Sequence, residues 1–287
     1  YSFESGDALV DLRRPAAGDR AAQAGADLGF AADGAHQHHR CGALGCWGVD
    51  RVSSRDGSPA ALAAPVWLAE RVRTFALGER QLCTVSLGGV LQCRGLAAPA
   101  LRGVTGVSFG GSHACAWTNH GRLSCWGDNE YGQVGAAIVT GRAVVAAPAA
   151  VSLVGHVAQV VAGRQHTCAR TAEGTVWCWG RDDDAQLGNG PARVSVPTAI
   201  PGFAGLTALS LGVHDLFGVA ADHTARVWQG ALPRLRLVRE PAADFSRAVT
   251  IDGLARVVSL TSRELVTYAV RDDGTIYSWG YAPMTKG

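Results

Sequence analysis

The side chains best placed to do chemistry in this sequence are cysteine and histidine, and both recur at fixed spacing. Eight cysteines fall into four close pairs: Cys41 with Cys46, Cys83 with Cys93, Cys115 with Cys125, and Cys168 with Cys178. A histidine stands two residues before the first sulfur in His39-Arg-Cys41, His113-Ala-Cys115 and His166-Thr-Cys168. Paired thiols offer a metal thiolate centre or a disulfide. Zinc sites favour short Cys-x-x-Cys knuckles that bring four ligands to one point. Three of these pairs instead have nine residues between them, with Gly88, His120 or Glu173 midway. That symmetry suits a hairpin with a three-residue loop, in which Gly89, Gly121 or Gly174 takes the left-handed turn position. The cysteines then lie opposite each other, at ~4.5–5.5 Å between Cα atoms, which is within disulfide reach. Disulfides are the better reading, and persistent disulfides imply an oxidising compartment.

The histidines invite a catalytic reading. Recurrence of His39, His113 and His166 at one position of successive units argues instead for a structural job, such as a ring nitrogen bonding a neighbouring unit's backbone. His36, His38 and His39 are of a type that ligates metal, but no carboxylate partner stands at fixed spacing, and an exposed loop is the simpler account. Asp182-Asp183-Asp184 resembles a fragment of a calcium loop without its glycine and terminal glutamate, and reads as a solvated turn. The sequence contains no Gly-x-Ser-x-Gly elbow, no phosphate-binding glycine loop and no His-Glu-x-x-His helix. It therefore predicts no catalytic residue, no metal and no cofactor, although a catalytic pair assembled from separate units would leave no linear trace.

The elements that position these side chains are repeated hairpins. Each ends on a glycine, at Gly48, Gly95, Gly127, Gly180, Gly230 and Gly280, with successive spacings of 47, 32, 53, 50 and 50 residues. Such a period carries about four strands of a propeller blade. The expected fold is all-β, a single β-propeller domain over residues 1–287 with six readable repeats, seven blades being possible. In the last two repeats Phe217 with Val227 and Tyr268 with Ser278 occupy the cysteine positions, a packed pair replacing the bridge. Segments ending near Gly78, Gly110, Gly163, Gly212 and Leu260 read as inner strands beside the axis. Residues 1–37 are expected to supply the outer strand missing from the last blade and so to close the ring, with a degenerate seventh blade as the competing account. The first hairpin is cut short. Either Ala43 and Leu44 make the turn and Cys41 opposes Cys46, or His36 opposes Cys46 and Cys41 lies in the loop, where no bridge can form.

Composition sets the outer bounds. A chain of 287 residues that is 47% hydrophobic supplies a real core. With 26 basic and 24 acidic residues the formal charge is +2, too small a field to argue for nucleic acid or an anionic membrane as partner. The 37 glycines recur at regular places, as many tight turns require. The longest apolar stretch, 143–163, is broken by Pro148, Gly155, His156 and Gln159, so no membrane insertion is expected. The chain begins at Tyr1 without an initiator Met or a charged-then-apolar leader. A mature form whose leader has been removed and a recombinant start fit this equally.

The segment Gly110-Gly-Ser-His-Ala-Cys-Ala, the run Trp126-Gly-Asp-Asn-Glu-Tyr-Gly-Gln-Val-Gly135 and the run Trp179-Gly-Arg-Asp-Asp-Asp-Ala-Gln-Leu-Gly188 resemble the regulator of chromosome condensation repeat family. The resemblance covers about residues 38–280 and is strongest in the third and fourth repeats. It implies a β-propeller, commonly of seven blades, in a family that includes exchange factors for the small GTPase Ran that also bind nucleosomes, and secreted bacterial proteins such as propeller-type β-lactamase inhibitors. Paired cross-strand cysteines look like the bacterial extracytoplasmic branch. Loops after each Trp-Gly should gather on one rim, where Asp128, Asn129, Glu130, Tyr131, Arg181, Asp182, Asp183 and Asp184 give a polar face with an aromatic anchor. The expectation is a non-enzymatic, secreted or periplasmic propeller that binds a protein partner through this face. A GTPase exchange factor or chromatin-binding propeller is the second reading. An extracellular enzyme or sugar-binding protein with a site at the central channel is the third.

Overall fold

The computed structural model describes residues 40–42, 45–47, 49–50, 60–61, 66–67, 72–77, 82–94, 101–135, 144–183, 187, 194–200, 202–212, 215–229, 248–251, 253–263 and 266–280. All of the regular structure among them is β. The first strands are short: β1 (Arg40–Gly42), β2 (Gly45–Trp47), β3 (Val49–Asp50), β4 (Ala60–Ala61) and β5 (Val66–Trp67). They form a three-stranded ribbon in the order β1-β2-β5 and a separate β3-β4 pair.

Five blades follow. Blade A consists of β6 (Val72–Leu77), β7 (Leu82–Ser86) and β8 (Leu91–Arg94). Blade B consists of β9 (Val104–Phe109), β10 (His113–Thr118), β11 (Leu123–Asp128) and β12 (Val144–Val151). Blade C consists of β13 (Val157–Ala162), β14 (His166–Thr171), β15 (Val176–Gly180) and β16 (Val194–Ala199). Blade D consists of β17 (Leu206–Leu211), β18 (Asp215–Ala220), β19 (Ala225–Gln229) and β20 (Val249–Thr250). Blade E consists of β21 (Val257–Arg263), β22 (Val266–Arg271) and β23 (Ile276–Gly280).

Among the described residues the propeller has five blades, where the sequence suggested six readable repeats and allowed seven. The discrepancy lies in the first hairpin. Its described strands, on either side of a turn with only four residues between Cys41 and Cys46, are three residues each and form a short ribbon in place of a blade. Its register is the short one, with Cys41 opposite Cys46. The expected ring-closing strand within residues 1–37 lies outside the described residues.

The cysteine register holds in the other three hairpins. Cys83–Cys93, Cys115–Cys125 and Cys168–Cys178 are disulfides between opposed residues with Cα atoms 4.1 Å apart, the narrow kind of antiparallel pair. Phe217 faces Val227 and Tyr268 faces Ser278 at the same positions. Each of the five hairpins turns through the same loop. In blade B the Thr118 N–H donates to the Arg122 carbonyl and the Gly121 N–H donates back to the Thr118 carbonyl, with Gly121 at φ +72°. Gly89, Gly174 and Gly274 repeat this, while blade D places His223 there at φ +62°. A side chain is costly in that conformation.

Inner strands β6, β9, β13, β17 and β21 touch in succession, so the blades are assembled around a common hub. The seams are filled from the following blade. Trp126, Trp179 and Trp228 are fully buried and pack in clusters with Cys83, with Cys115 and Cys125, and with Cys168 and Cys178 respectively. Trp279 packs in the same way on Phe217 and Val227. Removing a buried ring of this size costs ~3–5 kcal/mol, which makes the tryptophan of each Trp-Gly strand the main apolar contact between blades. Polar contacts at the hub add to it. The Ser108 hydroxyl accepts the Ala162 N–H at 3.0 Å, and the Gln159 amide pairs with both backbone groups of Leu209 at 2.9 and 3.0 Å.

Candidate rim site and its supporting network

The rim loops begin at the glycine after the tryptophan. Gly127 and Gly180 sit at φ +105° and +112°, and a Cβ on either would lie 2.5–2.6 Å from a carbonyl oxygen, that of Ser112 or Gln165. Only glycine fits, which is why Trp is followed by Gly in both hairpins. The chain is then tied to the neighbouring turn, with the Asp128 N–H donating to the Ser112 carbonyl at 2.8 Å and the Arg181 N–H donating to the Gln165 carbonyl at 2.9 Å.

The eight residues expected on this rim divide by burial. Asn129 and Asp182 are buried, and each carboxamide or carboxylate oxygen folds back into its own loop. Asn129 Oδ1 accepts the Val134 N–H at 3.0 Å, and Asp182 Oδ1 accepts the Leu187 N–H at 2.7 Å. These two are loop-formers, a correction to their expected place on the binding face. A buried polar atom is retained where it satisfies backbone donors that water does not reach. Asp184 lies outside the described residues. Glu130 and Asp183 are exposed, and Asp128, Tyr131 and Arg181 are half-buried. Asp128 also serves its own turn, accepting the Glu130 N–H at 3.1 Å.

Tyr131 of blade B and Arg181 of blade C meet across the seam. The guanidinium carbon lies 5.3 Å from the ring centroid. Arg181 is held there by Asp183, with Nε to Oδ2 at 2.8 Å, and by Gln165, with Nη1 to Oε1 at 2.7 Å. The result is an aromatic–cation pair with the Asp183 carboxylate on the guanidinium and the exposed Glu130 next to Tyr131 in the chain.

Beneath it runs a buried network that the sequence reading missed in part. The Tyr131 N–H donates to Gln133 Oε1 at 2.8 Å. The Gln133 carbonyl receives two donors from blade C, the Thr167 hydroxyl at 2.8 Å and the Trp179 indole N–H at 2.9 Å. His113 Nε2 stands 2.8 Å from the same Thr167 oxygen. A hydroxyl has one proton, and Thr167 gives it to Gln133, so His113 must donate through Nε2 and is the neutral Nε2–H tautomer. Burial, and secondarily the charge of His166, lower the His113 pKa from 6.5 to about 3. The recurrent histidine thus has a structural role in blade B, though its partner is a neighbouring hydroxyl and only through it the backbone. His166 is also buried, and the side chains of His36, His38 and His39 lie outside the described residues. The sequence signal for Gln133 was its place in the run Trp126–Gly135, and Thr167 stood only as the middle residue of His166-Thr-Cys168. Among the described residues no group of three or more His, Cys, Asp or Glu is arranged to hold a metal. No helix of the described residues is long and apolar enough to cross a membrane.

A succession of three- and four-stranded antiparallel blades around a common hub is a β-propeller, and the third and fourth repeats carry the further likeness. The regulator of chromosome condensation (RCC1) repeat matches residues 104–133 and 157–186 in one form, and 120–170 and 173–219 in another. The second form is offset from the blades, running from the hairpin turn of one blade into the second strand of the next. The human E3 ubiquitin-protein ligase HERC2 is 31% identical over 182 residues, covering 61% of this chain and 4% of HERC2. The human RCC1-like G exchanging factor-like protein is 24% identical over 190 residues, covering 63% of this chain and 41% of that protein. The chain thus matches well under half the length of either. In fold it is similar to Prp20p from Saccharomyces cerevisiae, whose structure was described with its binding to Gsp1p and histones. The TM-score there is 0.64 at 18% identity, over 83% of this chain and 66% of Prp20p.

Proposed function

We propose that this protein is a non-enzymatic recognition propeller that binds a protein partner through the rim formed by Asp128, Glu130, Tyr131, Arg181 and Asp183, and that it works outside the cytosol. The observation that carries the reading is the Tyr131–Arg181 stack across the seam of blades B and C, backed by a buried network. Tyrosine and arginine are both enriched among the residues that carry most of the binding energy at protein interfaces. Three cross-strand disulfides in consecutive blades support the extracytoplasmic location, because such bridges persist in oxidising compartments. The bacterial extracytoplasmic branch of the family is the setting these features fit best. The test is Tyr131→Ala and Asp183→Ala measured against a partner recovered by cross-linking from the rim. Both should weaken binding by tenfold or more while circular dichroism and melting stay near the parent's, and unchanged affinity would remove the rim from the reading.

A second reading, a nucleotide exchange factor for a small GTPase or a chromatin-binding propeller, is supported by the similarity to the RCC1-like G exchanging factor-like protein and to Prp20p. Accelerated nucleotide release from a GTPase by the purified protein, with its cysteines reduced in the cell, would favour it over the first.

A further inference from the structure

The hairpin turns lie at the opposite end of the strands from the Trp-Gly loops, and charge is divided unevenly among them. From residue 81 to 127, which spans the hairpins of blades A and B, the chain has no Asp or Glu, and there is none again from 131 to 172. Arg73, Arg102 and Arg122 are exposed at this end. A run of contacts joins them into one surface. Arg73 Nη2 donates to the Leu87 carbonyl, the Val104 N–H to the Gly89 carbonyl and the Asn119 N–H to the Gly103 carbonyl, each at 3.0 Å. The Gly121 turn then rests on the His156 ring, which a Cβ there would meet at 2.7 Å. Among the described residues the first carboxylate met in passing round the turns is Glu173 of blade C. In blade E, by contrast, Asp272 and Asp273 pair with Arg256 at 2.7 and 3.6 Å. The formal charge of +2 averages over this division.

Two large apolar side chains project from the same surface, Leu87 at 53% exposure and Val154 at 77%. Leu87 stands two positions before the left-handed Gly89 of its turn, as Asn119 stands before Gly121, so the tips of successive blades reach one level. We propose that this arginine-bearing end of blades A and B docks on an anionic lipid surface, with Leu87 and Val154 entering the headgroup layer and Arg73, Arg102 and Arg122 meeting the phosphates. Turn tips at one level fit a planar partner. Cations close to an anionic leaflet are attracted over about a Debye length, so a local group of arginines acts even where the whole chain is near neutral. Aliphatic tips set among cations are the pattern of an interfacial contact, and they gain nothing from a nucleic acid backbone or a soluble acidic chain. This docking uses the end of the disc away from Tyr131 and Arg181 and is independent of the rim reading.

The test is co-flotation of the full chain with vesicles of phosphatidylcholine alone or with about a third phosphatidylglycerol, at roughly physiological salt. Binding should be at least tenfold stronger to the vesicles that contain phosphatidylglycerol. Arg102→Glu/Arg122→Glu should weaken it tenfold or more, Arg102→Gln/Arg122→Gln should weaken it less, and Leu87→Ser/Val154→Ser should weaken it at least threefold, all with the parent's melting curve. Tyr131→Ala should leave it unchanged. Equal binding to both vesicles, or none to either, would overturn the proposal, as would binding that survives the charge reversals or is lost with Tyr131→Ala. Binding indifferent to Leu87→Ser/Val154→Ser, or polyglutamate or duplex DNA held more tightly than the vesicles, would assign the arginines to a soluble polyanion and overturn it as well.

Discussion

The guanidinium of Arg181 lies over the ring of Tyr131 at 5.3 Å, although the two residues belong to different blades. Each was placed by its own Trp-Gly strand, and their meeting depends on the angle at which blades B and C pack. A cation–π contact between half-buried groups near the surface is worth about 1 kcal/mol. Tyr131→Ala should therefore lower the free energy of unfolding in urea by no more than about 1 kcal/mol. A larger loss would mean that Tyr131 is a core residue of the rim loop rather than a surface anchor.

Thr167 joins His113 to the Gln133 carbonyl, so Thr167→Val strips a donor from one and an acceptor from the other inside a dry seam. The expected cost is ~1–3 kcal/mol, by the penalty for leaving buried polar groups unpaired. Amide exchange at Tyr131 and Val134 should quicken more than exchange in the strands of blade C, because the loop loses its anchor to the next blade. Uniform acceleration would refute the loop-specific role.

His113 gives the stability profile a defined slope in acid. Its folded pKa, about 3, lies below its ordinary value of 6.5, so between these values the unfolded chain binds a proton that the native state refuses. Stability is then full above pH 6.5 and falls by roughly 1.4 kcal/mol per pH unit as the pH drops towards 3, where the slope ends. Exposed carboxylates with lowered pKa, Glu173, Asp222 and Asp273, also withdraw support in acid. The quantity to measure is therefore the difference between parent and His113→Gln in urea unfolding from pH 7 to pH 4. The variant should show the shallower slope.

The sulfurs of Cys115, Cys125, Cys168 and Cys178 belong to fully buried residues. Dithiothreitol should leave them unlabelled by a thiol reagent in native buffer and expose them only in urea. A Cys168→Ala/Cys178→Ala variant should lose roughly 2–3 kcal/mol, the range for closing a short loop. Rapid labelling of native protein would contradict the packing of these bridges inside the seams.

His223 holds the turn position that glycine fills in the other four blades, at φ +62°, and its ring Nδ1 lies 3.3 Å from the Val257 carbonyl. His223→Val should cost ~1–2 kcal/mol, because a β-branched side chain is poorly accommodated in the left-handed region. His223→Gly should change melting little. Equal effects of the two would point to the ring contact rather than the backbone.

The sequence by itself determined the hairpins. Opposed cysteines with nine residues between them, a glycine near the turn and Trp-Gly at the exit are local facts, because cross-strand register follows from loop length and from the two-residue period of a strand. The same spacing placed Phe217 opposite Val227 and Tyr268 opposite Ser278. What crosses from one blade to the next was decided only by the tertiary structure. No spacing in the chain relates Thr167 to Gln133, or Tyr131 to Arg181, since the partners, 34 and 50 positions apart, are joined by strands and loops whose packing angle is a property of the assembled seam. Burial likewise separated Asn129 and Asp182, which close their loops, from Glu130 and Asp183, which face solvent, though all four are polar residues in equivalent turns. The blade count went the same way: the first hairpin looks like a repeat in sequence, yet among the described residues it pairs only three residues per strand.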